Sequence, residues 1–126
     1  MTVVLDASAL LVYLQQEAGS ELVDALLSDA LMASVNWAEV VQKSISAGVD
    51  VTGMRKDLQA LGMRVEPFLP ADGDTAGQLW ASTRQLGLSL GDRACLSLGL
   101  RLGLPVVTCD RVWKQLALDL DIQVLR

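Results

Sequence analysis

Five short apolar runs, spaced by longer segments of helical character, constrain this fold more than any other feature of the chain. They cover residues 2–6, 31–34, 63–68, 104–108 and 122–125. Short runs of this composition, bounded by turn residues, read as strands. Helix start and stop signals fill the gaps. Residues 9–16 and 20–30 read as helices parted by Gly19 and Ser20. Asn36 opens a helix that reaches about Ala47 and stops at Gly48, and Thr52 caps another that ends at Gly62. Asp72 begins a long helix ending near Gly87, Ser89 starts the next, ending near Gly103, and residues 110–118 read as the last. Strands spaced by helices predict an α/β sandwich with a mostly parallel sheet, and 126 residues suit one domain, 1–126, around one core.

The chain contains no histidine. Imidazole metal ligands, histidine acid–base pairs and Ser/His/Asp triads are therefore excluded together. Proton or metal chemistry falls to carboxylates, Lys, Tyr, hydroxyls or thiols. Cys95 and Cys109 form no metal-type pair and no disulfide framework, and read as reduced cytosolic thiols. No stretch has the length of a membrane span, and the N-terminus lacks the basic start of an export signal, so a cytoplasmic location is expected.

The formal net charge is −5, but it is unevenly spread. Residues 1–83 carry four basic and eleven acidic groups, whereas residues 84–126 carry six basic and four acidic groups. The C-terminal third, with a bound cation, is the part suited to attracting a phosphate chain. Counted with Gly in place of Tyr, the apolar fraction is roughly 60%, above the ~45–50% usual for soluble domains. Such a surplus fits either an apolar skin or a surface for another chain, and a homodimer is expected.

In open parallel sheets the working crevice lies at the carboxyl ends of the strands. Val3-Val4-Leu5 runs into Asp6. Residues 31–34 lead through Asn36 to Glu39, and Val106-Val107-Thr108 leads to Asp110, while Asp92 opens a helix of its own. Each acid also has a local explanation. Asn36-Trp37-Ala38-Glu39 and Ser89-Leu90-Gly91-Asp92 fit variants of the capping box. Asp6 and Asp110 suit helix starts, where Ser8 and Thr108 are further caps. If the fold is right, however, the four acids share one rim, and clustered carboxylates repel unless protonated or bridged by a cation. Oxygen-only ligands suit Mg²⁺ or Mn²⁺ and not Zn²⁺.

The segments Leu5-Asp6-Ala7-Ser8-Ala9-Leu10, Asn36-Trp37-Ala38-Glu39-Val40, Leu88-Ser89-Leu90-Gly91-Asp92-Arg93-Ala94-Cys95-Leu96 and Thr108-Cys109-Asp110-Arg111-Val112-Trp113, in that order, resemble the PIN-domain ribonucleases. They most resemble the VapC toxins of bacterial toxin–antitoxin pairs. The resemblance covers essentially the whole chain and implies a PIN-like three-layer sandwich. It also implies that Asp6, Glu39, Asp92 and Asp110 correspond to the family's acidic quartet. The implied reaction is Mg²⁺- or Mn²⁺-dependent hydrolysis of RNA, leaving a 5′-phosphate and a 3′-hydroxyl, and the implied partner is a cognate antitoxin. Asp6 and Asp92 are the first choices as direct ligands. Glu39 and Asp110 either ligate directly, act through water or orient the nucleophile.

Other residues carry looser expectations. Ser8 and Thr108 suit hydrogen bonding to the ligands, or capping. Arg93 and Arg111 suit phosphate binding, or a surface or dimer role. Trp37 and Trp113 read as packing residues ahead of base stacking. Val12, Leu14, Leu22, Leu26 and Leu27 divide between core and a groove for an antitoxin helix. A phosphatase of the D-x-D type needs an acid where Ser8 stands, and Ala7-Ser8-Ala9 is no glycine-rich nucleotide loop. The rival from another class is a non-catalytic binding module of the same fold.

Overall fold

The computed structural model describes residues 1–126. Strands β1 (Val3–Leu5), β2 (Ala30–Ala33), β3 (Arg64–Glu66), β4 (Val106–Thr108) and β5 (Ile122–Val124) pair in the order β3-β2-β1-β4-β5, every pair parallel. Helices α1 (Ala7–Leu14), α2 (Ser20–Leu27), α3 (Ser34–Ser46), α4 (Met54–Ala60), α5 (Pro70–Gln78), α6 (Trp80–Thr83) and α7 (Leu90–Leu102) make the connections.

The three central strands are buried throughout, and apolar apart from Thr108, because both faces of the sheet are covered. Val3 and Leu5 of β1, with Ala30, Met32 and Val107, pack on Leu10, Val23, Leu27, Val40 and Leu58 from α1 to α4. Val4, Leu31, Ala33 and Val106 point the other way, onto Cys95, Leu96 and Leu98 of α7, Leu79 and Trp113. The result is the expected three-layer α/β sandwich with a parallel sheet. No helix is long and apolar enough to cross a membrane.

Several elements depart from the sequence reading. The long helix expected from Asp72 to Gly87 begins at Pro70 and breaks after Gln78, then continues as α6 and a 3₁₀ turn over Arg84–Leu86. The hydroxyls of Ser82 and Thr83 both donate to the Leu79 carbonyl, competing with the helix at the break. Asp72 is not the cap but lies one turn in, where it accepts from Leu69 N–H and from Arg101 of α7 at 2.8 Å. Burial opposes its charge, but the hydrogen bonds to Arg101 and Leu69, with the charge of Arg101, hold its carboxyl below the usual range.

Residues 110–118 form only a 3₁₀ turn over Arg111–Gln115. Beyond it, Leu116, Leu118 and Leu120 all pack on the α7 side of the core. That spacing of two belongs to extended chain, not to a helix. α4 is preceded by Gly53 in the left-handed region rather than capped by Thr52, and the chain leaves it through Gly62 at φ +111°.

Candidate active site

The chain winds outward through β1, β2 and β3, then returns to the other flank of β1 to lay down β4 and β5. The crevice of such a sheet opens where this direction reverses, at the carboxyl ends of β1 and β4. Asp6 follows β1 there and Thr108 ends β4. Although 102 positions apart, the two are joined by a hydrogen bond in which Thr108 Oγ1 donates to Asp6 Oδ2 at 2.5 Å. Ser8 Oγ donates to Asp6 Oδ1 at 2.7 Å, and Ala9 N–H, capping α1, donates to the same oxygen at 2.9 Å. Asp6 is only 4% exposed. Burial, opposed by the three hydrogen bonds and aided slightly by the charge of Asp92, raises its pKa to about 6.

Glu39 and Asp92 come from the neighbouring helices α3 and α7. Asp92 is held by a true capping box: its Oδ2 accepts from Ser89 N–H at 2.9 Å while Ser89 Oγ accepts from Asp92 N–H at 3.1 Å. The expected box at Asn36–Glu39 does not form. α3 starts earlier, behind Ala33, and places Asn36 inside the helix, 1% exposed. From there Asn36 Nδ2 donates to Glu39 Oε1 at 2.8 Å and to the Gly91 carbonyl of α7 at 2.9 Å. Cys95, wholly buried on α7, feels the same cluster: burial first, then the charges of Asp6, Asp92 and Glu39, push its thiol far up.

Asp110 stands apart. It is exposed, and its Oδ1 accepts from Val112 N–H at 3.0 Å, capping the 3₁₀ turn. Its link to the cluster runs through the backbone, whose N–H donates to Thr108 Oγ1 at 3.1 Å. Ser8 and Thr108 thus serve Asp6 directly rather than capping helices. Ser8 Oγ also accepts from Cys109 N–H. Burial, and then Asp6, push the Cys109 thiol up, which leaves it a poor nucleophile.

Arg93, for which phosphate binding and a surface or dimer role were both open, packs its head against α5. Its guanidinium turns away from Asp92 and donates to the Ala76 carbonyl of α5 at 2.7 Å. Arg111 donates to the Arg126 carbonyl. Trp113 is wholly buried and packs, as expected, while Trp37 packs at the edge of the other core. Of the early apolar residues, Val12 and Leu27 are core, Leu14 and Leu26 are half-buried, and Leu22 is 51% exposed. Sequence reasoning missed the bridging role of Asn36 and the bare backbone at Gly91. The signal available was the glycine immediately before Asp92.

The site acids have no basic partner. The ion pairs of the chain, Met1 with Asp29, Arg101 with Asp72 and Arg126 with Glu17, all lie elsewhere. The donor set is purely carboxylate and hydroxyl oxygen, which fits a hard divalent cation. The carboxylates share a rim but do not converge on one point: no three His, Cys, Asp or Glu side chains are close enough together to hold an ion. Of the four acids expected at the site, Asp6, Asp92 and Glu39 all act on the Cys95 thiol, while Asp110 caps the 3₁₀ turn beyond β4.

The sequence matches the PIN domain family over residues 3–118. No curated protein matches it in sequence. In fold it is similar to VapBC-1 from nontypeable Haemophilus influenzae, with a TM-score of 0.71 and 19% identity over 99% of this chain and 98% of that one. It is also similar to VapBC2 from Rickettsia felis bound to a DNA fragment from their promoter, with a TM-score of 0.70 and 15% identity over 100% of both chains. FitAcB from Neisseria gonorrhoeae gives a TM-score of 0.67 and 18% identity over 96% of each chain. With a family match that spans nearly its whole length and a sheet whose reversal gathers acids at one crevice, the chain belongs to the PIN domain family.

Proposed function

We propose that this chain is a divalent-metal-dependent endoribonuclease and the toxin of a toxin–antitoxin pair, acting in the cytoplasm as one domain over residues 1–126. The observation that carries the reading is Asp6: a buried carboxylate at the reversal of a parallel sheet, within reach of the charge of Asp92 and without a cationic partner. A group of this kind is costly to keep charged unless a cation joins it. Asp6 and Asp92 would be the direct ligands of Mg²⁺ or Mn²⁺, with Glu39 and Asp110 contributing directly, through water or by orienting the nucleophile. When bound, such an ion activates water and offsets charge on the phosphoryl oxygens.

The chain's own groups do the positioning. Thr108 and Ser8 each point a hydroxyl proton at Asp6, fixing both of its oxygens. Ser89 holds Asp92, and Asn36 holds Glu39. The product expected from hydrolysis without the substrate's own 2′-hydroxyl is a 5′-phosphate and a 3′-hydroxyl.

The proposed antitoxin lies against the early helices. An open groove of about 540 Å³ between α1 and α2 is lined by Tyr13, Leu14, Gln16, Ser20, Glu21 and Asp24, a mostly polar lining with an acidic edge suited to a helix bearing basic side chains. The chain is further proposed to form a homodimer. Co-purification with the product of the adjacent reading frame, and light scattering of the free chain, test these two points.

The deciding experiment incubates total RNA with the purified chain, with Mn²⁺ or with chelator, and maps the product ends. Cleavage that requires Mn²⁺, leaves 5′-phosphates and disappears in Asp6→Asn is expected. A non-catalytic binding module of the same fold neither cleaves nor responds to the chelator.

A further inference from the structure

Glu39 and Asp92 belong to different helices, and nothing covalent fixes the distance between them. Two features do so instead. Asn36 uses both protons of its amide, one toward Glu39 Oε1 at 2.8 Å and one toward the Gly91 carbonyl at 2.9 Å. Both neighbours are acceptors only, so the amide cannot be turned round without setting oxygen against oxygen. Asn36 is 1% exposed, and its Oδ1 has no partner, so the residue is held in place by these two donations. The second feature is the bare backbone of Gly91. A Cβ added there would lie 2.6 Å from Glu39 Oε2 and 2.7 Å from Cδ, so the carboxylate lies flat against the residue that precedes Asp92. Any side chain at that position pushes it away.

We infer that Asn36 is a positioning residue which, with Gly91, clamps the Glu39 carboxylate of α3 to the first turn of α7 and so sets its spacing from Asp92. The inference rests on the nuclease reading above, and its test separates the two. Asn36 touches neither the RNA nor the reacting atoms in this role. It acts through Glu39, whose carboxylate has one oxygen tied and the other left free for a ligand.

Two substitutions attack the clamp from opposite sides. Asn36→Ala removes both donors and leaves α3 and α7 tied only by packing. Gly91→Ala leaves the donors but puts a methyl group where the carboxylate rests. Gly91 is in a helix and not in the left-handed region, so alanine adds no backbone strain there, and the melting temperature reads any cost of moving Glu39.

The measurements are melting temperature, Mn²⁺ affinity by calorimetry without RNA, and kcat and KM on an RNA substrate. Groups that orient metal ligands typically contribute 10–100-fold to affinity. Both variants are therefore expected to lose about tenfold or more in Mn²⁺ affinity and in kcat, with KM for RNA within about twofold of the parent. The double variant is expected to be no worse than the poorer single, since each breaks the same contact. A merely structural Asn36 gives another pattern: a lower melting temperature in Asn36→Ala, and Gly91→Ala equal to the parent in Mn²⁺ affinity and kcat. That outcome overturns the clamp while the parent's cleavage stands. A parent chain that neither binds Mn²⁺ nor cleaves RNA overturns the nuclease reading, and the clamp with it.

Discussion

Replacing Asp6 with Asn is expected to stabilise the metal-free protein at neutral pH while abolishing cleavage. Asparagine keeps the shape and caps a helix about as well as aspartate. Its Oδ1 still accepts from Ala9 N–H and Ser8, and its amide can donate to Thr108 Oγ1, whose own proton then rotates away. What disappears is a buried negative charge. The pKa of Asp6 is raised from 3.8 to about 6, chiefly by burial. That rise amounts to roughly 3 kcal/mol of preference for the neutral carboxyl in the folded state. The folded chain holds the proton more tightly than the unfolded chain, so stability falls as pH rises from about 4 to 6 and stays low above that. Asp6→Asn removes the loss. In chelator at pH 7.5 its melting temperature should exceed the parent's by on the order of 10 °C. The gap should shrink as the pH falls toward 4 and close below it, where Asp6 is protonated in both states. Thermal melts by circular dichroism across this pH range are the assay. A variant no more stable than the parent at pH 7.5, or a gap that is constant with pH, refutes the reasoning.

Three other outcomes follow from the packing and the site. Trp113→Ala empties a wholly buried position whose indole N–H has no partner, so it should cost ~3–5 kcal/mol in urea unfolding while the folded fraction binds RNA as before. Weaker RNA binding without loss of stability would restore base stacking to that residue. Gly62→Ala forces a side chain into the left-handed region and drives its Cβ into the backbone of Ser28, so it should lower stability by more than about 1 kcal/mol, read from the shift of the urea midpoint. Adding Mn²⁺ at about 100 times its Kd should stabilise the parent by ~2.7 kcal/mol at pH 7.5 and by less at pH 5, where protons compete for Asp6, and chelator should reverse both; a calorimetric melt indifferent to Mn²⁺ would show that no ion binds.

The parts of this architecture that were legible in the sequence are those decided locally. Ser89 and Asp92 satisfy one another across three residues, and the box they predict is the box that forms. Val3-Val4-Leu5 and Val106-Val107-Thr108 read as strands because both faces of the sheet are dry. The acids at their ends were legible once a parallel sheet was assumed. What was illegible depends on partners distant in the chain. Asn36 carries the signature of a helix cap, and only the approach of α7 turns it into a bridge. Arg93 neighbours Asp92 in sequence, yet the helix turns it onto α5. The spacing of Leu116, Leu118 and Leu120 was itself visible, and reading it at a period of two would have ended the last helix in the right place.

The bond between Thr108 and Asp6 also has a temporal meaning. Asp6 is made before the hydroxyl that orients it, which ends β4, 102 positions later. β4 must also wait for the excursion through β2 and β3 before it can dock beside β1. A fragment that stops short of β4 has its first acid and its second strand, yet lacks the wall of the crevice and one of the two hydroxyls that aim Asp6. Such non-local pairing is slow to form. A nascent or truncated chain therefore lacks a finished crevice until β4 has docked beside β1.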